Sequence, residues 1–194
     1  MSETFNAFVL NKDEGGFSAG VQQLTLADLP EGDITVRVQY SSVNFKDGLA
    51  CLPESPVVYT YPMVPGIDLA GTVVESSNPR FTVGQEVLAI GQALGISQFG
   101  GYAEYARLSS DWVEPLPAGL TLKDAMALDT AGFTAGLAVQ RLCLGFAAGA
   151  GAGGCVCELP RLDVDAGALP GHQDLGVRVS HARVCAAIWR AVAG

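Results

Sequence analysis

The first 140 residues have almost no thiol or imidazole to ligate a transition metal or close a disulfide: no His, and Cys51 as the single Cys. They also have few cations, three Lys and three Arg against 16 acidic residues. Without a basic run the chain is a poor fit for nucleic acid, because neutralising phosphates requires clustered Lys and Arg. No stretch of about 18 uninterrupted apolar residues occurs, which argues against a membrane span. The start, Met1-Ser2-Glu3-Thr4, has neither a positive n-region nor an apolar h-region, so no secretion signal is read there. Five Cys in all, with one in the first 140 residues, fits a reducing cytoplasm better than a disulfide scaffold. What is present is apolar: 49% of 194 residues, enough for one domain with a real core and too few for two full-sized ones.

The composition breaks after Gln140. The last 54 residues contain no Lys, five Arg and four acidic residues, together with four Cys, both His and 20 Gly plus Ala. The whole chain carries a net charge of −9, all of it from the part before the break. A shift this abrupt marks a linker, a second domain or a change in what the chain encodes.

Before the break, short β-strand patterns dominate. Phe5–Leu10 is an apolar run ahead of the turn signal Asp13-Glu14-Gly15-Gly16, and Val21, Leu24 and Leu26 follow in a second run. Ile34, Val36, Val38 and Tyr40 alternate with Thr35, Arg37 and Gln39, the period of a half-buried strand. Further strands are expected at 69–74, 83–90 and 102–108. Ile34, Val36, Val38, Leu69, Val73, Val87, Leu88 and Ala103 are the expected core. Helical signals come late. Thr121 can cap a helix over 122–128, with Asp124 in its first turn. The run 133–144 is apolar nearly all round, the pattern of a buried helix. Strands first and helices after predict an α+β, mainly β fold of barrel or sandwich type.

Polar residues cluster beside these strands in Ser41-Ser42-Val43-Asn44-Phe45-Lys46-Asp47 and in Gly66-Ile67-Asp68. Taken alone, Asn44, Lys46, Asp47 and Asp68 are explained by turn capping and a local ion pair.

Four segments resemble one family: "LPEGDITVRVQYSSVNFKDGLA", "YPMVPGIDLAGTVVESSNPRFTVGQEVL", "GGYAEYARLSSDWVEPLPAGLT" and "AMALDTAGFTAGLAV". In order and spacing, residues 1 to about 140 resemble the N-terminal catalytic domain of zinc-free medium-chain dehydrogenase/reductases. The branch is that of acrylyl-CoA reductases and quinone oxidoreductases. The resemblance implies a GroES-like, partly open β-barrel over 1–120, and over 121–144 the helical start of a Rossmann domain that binds NADPH. It implies hydride transfer to the β-carbon of an enoyl thioester, or to a quinone, in the cleft between the two domains. On this resemblance Asn44, Lys46, Asp47 and Asp68 are the candidate catalytic residues. Phe45 and Thr134 are the candidate cofactor contacts. The alternative is a stand-alone GroES-like binding module without catalysis.

The same resemblance argues against zinc. Zinc-dependent members place a Cys where this chain has Asn44, and a His-Glu pair where it has Ile67-Asp68. An amide and an aliphatic chain cannot replace thiolate and imidazole on the metal. The four closely spaced Cys of a structural zinc lobe are also missing between residues 52 and 142. Two departures from the family stand out. Phe45 replaces the usual Tyr, which keeps the ring and loses a hydroxyl, and the loop Ile90–Phe99 lacks the usual Thr-Gly-Trp start and His-Trp end.

After the break, Gly149-Ala150-Gly151-Ala152-Gly153-Gly154 satisfies G-x-G-x-x-G. A pyrophosphate loop must follow a buried strand and open an apolar helix, which this stretch does not, so a flexible Gly/Ala segment explains it more simply. Cys155, Cys157, His172, His181 and Cys185 lack the spacing of a zinc site. Ile188 and Trp189 read as exposed apolar groups. Residues 145–194 are expected to be an aberrant or disordered tail, the sequence being truncated before a complete Rossmann domain. Arg without Lys, with abundant Gly, Ala, Cys and Pro, is what a GC-rich gene yields out of frame. Codons for Leu144–Val156, read one nucleotide later, permit Leu-Gly-Leu-Arg-Pro-Gly-Gln-Gly-Pro-Val-Val-Val-Ser, a loop and strand of Rossmann character. A natural truncation and a short divergent domain are the alternatives. Each predicts little reductase activity from this chain, and self-association through apolar surface left uncovered.

Overall fold

A computed structural model of the chain describes residues 4–149. The Gly-rich match, the four late Cys/His positions from Cys155 to His181, Cys185, Ile188 and Trp189 lie outside the described residues, as does the expected character of the tail.

Strands β1 (Thr4–Asp13) and β2 (Gly16–Thr25) form an antiparallel hairpin in which Asp13 pairs with Gly16. The two-residue turn between them is tied by Gly15 N, which donates to Asp13 Oδ1 at 2.7 Å. Five further strands make a second sheet: β3 (Ile34–Ser41), β4 (Asp68–Ser76), β5 (Glu86–Ile90), β6 (Tyr105–Leu108) and β7 (Val113–Pro115). Its order is β6-β3-β4-β5-β7, with every neighbour antiparallel. The hairpin joins the rest through backbone bonds of β1 to Met63, Tyr102 and Glu104. The sheets do not close on each other, so the fold is mainly β and partly open, the GroES-like arrangement expected.

The main core lies between faces of the second sheet, where Ile34, Val36, Leu69, Val73 and Val87 are at most 1% exposed. Leu88 is also buried. Val38 is half-buried against this cluster, and Ala103 is half-buried against a second one built on Phe5, Ala7 and Val9. The alternation expected along β3 fails at two places. Register shifts fall between Thr35 and Val36 and between Val38 and Tyr40. Each bulge rotates the side chains that follow it. Thr35, at the first shift, is buried and receives a hydrogen bond from Arg107 Nε at 3.2 Å, and Tyr40, after the second, is 43% exposed.

Two elements were not legible in the pattern: helix α1 (Phe45–Ala50) and the three-residue β7. Late in the chain, α2 (Leu122–Gly149) begins as expected, Thr121 Oγ1 accepting from Asp124 N at 3.1 Å. Its buried face is Leu122, Ala125 and Met126. Asp129 breaks the helix with φ 46° and ψ −165°. The helix resumes at once, before the 133 start expected. The expectation that 133–144 is buried is corrected: residues 133–141 are half-buried or exposed, Val139 at 58%. An all-round apolar pattern reports composition and not the partner that would cover it. The first compact unit ends at Thr130, and a second begins at Ala131.

Gly71, at the centre of β4, sits where a Cβ would fall 2.1 Å from the Arg37 carbonyl oxygen across the ladder. Backbone cannot yield as a side-chain tip can. Gly71→Ala is therefore expected to destabilise the first unit by about 3 kcal/mol or more, at or above the usual cost of overpacking, measured by chemical denaturation.

Candidate active site

The polar segment after β3 and the start of β4 come together around two buried carboxylates. Asp68 opens β4 and is fully inaccessible. Its Oδ2 accepts from Ser42 Oγ at 2.7 Å, Asn44 Nδ2 at 2.9 Å and Thr130 N at 2.9 Å. Its Oδ1 accepts from Gly91 N at 3.0 Å and Thr130 Oγ1 at 2.5 Å. Two carboxylate oxygens offer about four lone-pair positions, so five donors use the acceptor capacity fully. The donors come from three places: the β3–α1 loop, the end of β5, and the break in α2.

Asp47, in the first turn of α1, is 2% exposed. Its Oδ2 accepts from Asn44 N at 2.8 Å, the reciprocal contact of a helix N-terminus. Its Oδ1 accepts from Gly66 N at 3.1 Å and Ile67 N at 2.9 Å. Gly66 adopts φ 102°, and a Cβ there would stand 2.7 Å from the Tyr102 ring. Asp47 thus fastens α1 to the chain entering β4, one residue before Asp68. The two carboxylates are consecutive fasteners of one loop pair.

Asn44 joins them. Its Nδ2 donates to Ser42 Oγ at 2.8 Å as well as to Asp68, and its backbone N–H goes to Asp47. Tyr102 closes the site from below, its hydroxyl donating to the Ser42 carbonyl at 3.1 Å. Burial, and then the negative charge of Asp47, hold the Tyr102 phenol well above its ordinary range. It is a neutral donor at any physiological pH. Burial, followed by the charge of Asp47, also pushes the Cys51 thiol up, which makes it a poor nucleophile.

The remaining expected residues lie elsewhere. Lys46 points to solvent, with no ion pair to either carboxylate. Phe45 is 84% exposed and Val43 86%. The loop therefore shows solvent an aromatic ring, an aliphatic chain and an ammonium, while its acidic and amide groups face inward. Thr134 is exposed on α2 and belongs to the second unit. Ser42, Gly91, Tyr102 and Thr130 were missed. The only sequence signal for Thr130 was the interval between two helical runs.

The donor set is unsuited to zinc. Ile67 brings only a hydrocarbon side chain, and the Asn44 Nδ2 is spent as a donor to Asp68. Among the described residues no three His, Cys, Asp or Glu side chains gather as a metal site.

Asp68→Asn replaces an acceptor oxygen with a donor NH2 in the midst of five donors. Unsatisfied buried polar groups cost about 1–3 kcal/mol each, so a loss of about 3 kcal/mol or more is expected in denaturant unfolding. Lys46→Ala is expected to change stability by no more than about 0.5 kcal/mol, the range of plain surface substitutions.

Comparison with known proteins places this arrangement. Residues 30–118 match the alcohol dehydrogenase GroES-like domain. The acrylyl-CoA reductase AcuI of Ruegeria pomeroyi is 51% identical over 140 residues, which are 71% of this chain and 42% of that protein. The putative quinone oxidoreductase YhfP of Bacillus subtilis is 46% identical over 142 residues, 73% of this chain and 43% of that one. Among solved structures, the yhdH oxidoreductase of Salmonella enterica, in complex with NADP, superposes with TM-score 0.68. It is 48% identical, over 71% of this chain and 42% of its own. The Bacillus subtilis yhfP structure with NAD bound gives 0.71 at 45% identity, over 74% and 44%. The chain thus spans less than half the length of these relatives. Residues 1 to about 140 belong to the medium-chain dehydrogenase/reductases, as the N-terminal, GroES-like portion of the acrylyl-CoA reductase and quinone oxidoreductase branch.

Proposed function

We propose that this chain carries the substrate half of an NADPH-dependent reductase of an activated C=C bond, an enoyl thioester of the acrylyl-CoA class. A quinone is the second acceptor considered. The observation that carries the reading is the 51% and 48% identity to acrylyl-CoA reductases over 140 and 136 residues, together with a GroES-like match over 30–118 that includes Asn44, Asp47 and Asp68. NADPH, when bound, supplies the hydride that goes to the β-carbon, and the α-carbon then gains a proton.

The described residues fit the nicotinamide end of such a cofactor. An exposed ring at Phe45 offers a flat apolar face, and Lys46 beside it offers a cation. Both stand on a segment whose backbone is pinned by Asp47 and Asp68, so their positions are set before any ligand arrives. Phe45 is the proposed cofactor contact on this loop, and Thr134 is a second one proposed from the family resemblance alone. Lys46 is the group on this loop able to stabilise negative charge developing on a thioester oxygen. Asn44, Asp47 and Asp68 act as positioning residues: their polar atoms are engaged within the protein and hold the loop that presents Phe45 and Lys46. The alternative of a binding module without catalysis is supported by that same engagement.

Two measurements test the reading. Titration of the 194-residue chain with NADPH, followed by nicotinamide fluorescence, is expected to give weak, unsaturated binding and no turnover. Tight saturable binding with turnover would contradict this. Joined to the nucleotide-binding portion of an AcuI relative, the chain is expected to oxidise NADPH with acrylyl-CoA. Lys46→Ala should then lower kcat/KM at least about tenfold, the effect of losing one charge-stabilising contact worth about 1.4 kcal/mol. Cofactor binding with no reduction of acrylyl-CoA or a simple quinone would overturn the substrate assignment.

A further inference from the structure

Among the described residues, the hairpin has one edge along which no other strand lies. On β1, the backbone groups of Asn6, Phe8 and Leu10 face away from β2 and bond to Glu104, Tyr102 and Met63. The residues between them, Ala7, Val9 and Asn11, therefore face β2, where they meet Gln22, Gly20 and Ser18. By the same alternation the N–H and C=O groups of Phe17, Ala19, Val21, Gln23 and Thr25 point outward. Thr25 is already capped, its N–H donating to Asp28 Oδ2 at 2.7 Å and its C=O accepting from Asp28 N at 3.0 Å. Among the described residues no strand lies along the other four.

Exposed edges are ordinarily guarded by Lys, other charges or Pro. Strand β2, Gly-Phe-Ser-Ala-Gly-Val-Gln-Gln-Leu-Thr, has none of these in ten residues. Its middle residue is Gly20, which has no evident intramolecular purpose. Its φ lies outside the left-handed region, and a Cβ added there meets nothing within 4 Å. A glycine inside a strand weakens it, and marks places where another backbone comes close.

We propose that β2 is an association edge, along which a second copy of this chain adds its own β2 antiparallel about a two-fold axis at Gly20. This register pairs Ala19 with the partner's Val21 and Phe17 with the partner's Gln23. All four open residues of each copy then exchange both backbone bonds. Gly20 meets the partner's Gly20 as a non-hydrogen-bonded pair, where antiparallel Cα atoms approach to about 4.5 Å. The occupant is a second copy because the geometry is self-complementary. The chain carries a net charge of −9, yet this pairing sets no charged residue of β2 against another. Val21, 70% exposed, gains an apolar neighbour in Ala19 of the second copy.

Sedimentation of the 194-residue chain tests this. The wild type is expected to be dimeric. Gly20→Lys and Gly20→Glu each place like charges directly across the axis, in open space within one copy, and each is expected to be monomeric with unchanged far-UV circular dichroism. An equimolar mixture of the two is expected to dimerise again. Ala19→Pro removes one outward donor while sparing the ladder to β1, and it should also give monomer. A monomeric wild type, a dimer indifferent to these changes, or a mixture that stays monomeric would each overturn the proposal.

Discussion

A single buried carboxylate organises the polar half of this fold. Asp68 is fully inaccessible and gathers donors from the β3–α1 loop, from the end of β5 and from the break in α2. Those segments are far apart in sequence, with Thr130 62 residues from Asp68. A charge in such a place is tolerated only because every acceptor position is used. Asp47 repeats the device one step earlier, against Gly66 and Ile67. Together they turn a loop with no ladder of its own into a fixed platform.

That platform explains which groups face outward. With Asn44, Asp47 and Asp68 turned in, the loop around Asn44 shows Val43, Phe45 and Lys46 to solvent. The polar side chains of Asn44, Asp47 and Asp68 are thus engaged within the protein, while Phe45 and Lys46 beside them are exposed. Asp129 and Thr130 extend the same logic to α2. The positive φ at Asp129 interrupts the helix where Thr130 N and Oγ1 reach Asp68. A strained residue held beside a satisfied carboxylate is a constraint that local preference alone would not maintain.

Much of this was legible in the residues, and the exceptions have physical causes. Strands β1 to β6 announced themselves through alternation and Gly/Pro punctuation, and the core residues Ile34 to Leu88 followed from it. Thr35 and Tyr40 were misread because bulges in β3 shift the register, and a bulge leaves no mark in a two-residue period. Helix α1 is six residues long and contains Gly48, too short and too weak in propensity to show. Of the group Asn44, Lys46, Asp47 and Asp68 read in the sequence, the structure joins Asn44 to both carboxylates by hydrogen bonds and leaves Lys46 exposed. The inward engagement of Asn44, Asp47 and Asp68 was not visible, because Ser42, Gly91 and Thr130 are brought to Asp68 by topology and not by spacing. The apolar run after Asp129 read as buried because composition cannot name a covering partner.

The account rests on Asp68 holding three segments at once, and amide hydrogen exchange reads that directly. Thr130 N–H sits at the break in α2 and donates to Asp68 Oδ2 at 2.9 Å, while Gly91 N–H is shared between Asp68 Oδ1 and the Ile67 carbonyl. Thr130 N–H is predicted to exchange as slowly as the β4–β5 ladder amides in the wild type and to lose protection in Asp68→Asn, while Gly91 N–H keeps the Ile67 carbonyl as its acceptor. Exchange of the Thr130 amide at the rate of an open loop in the wild-type chain, or unchanged protection in Asp68→Asn, would contradict the account.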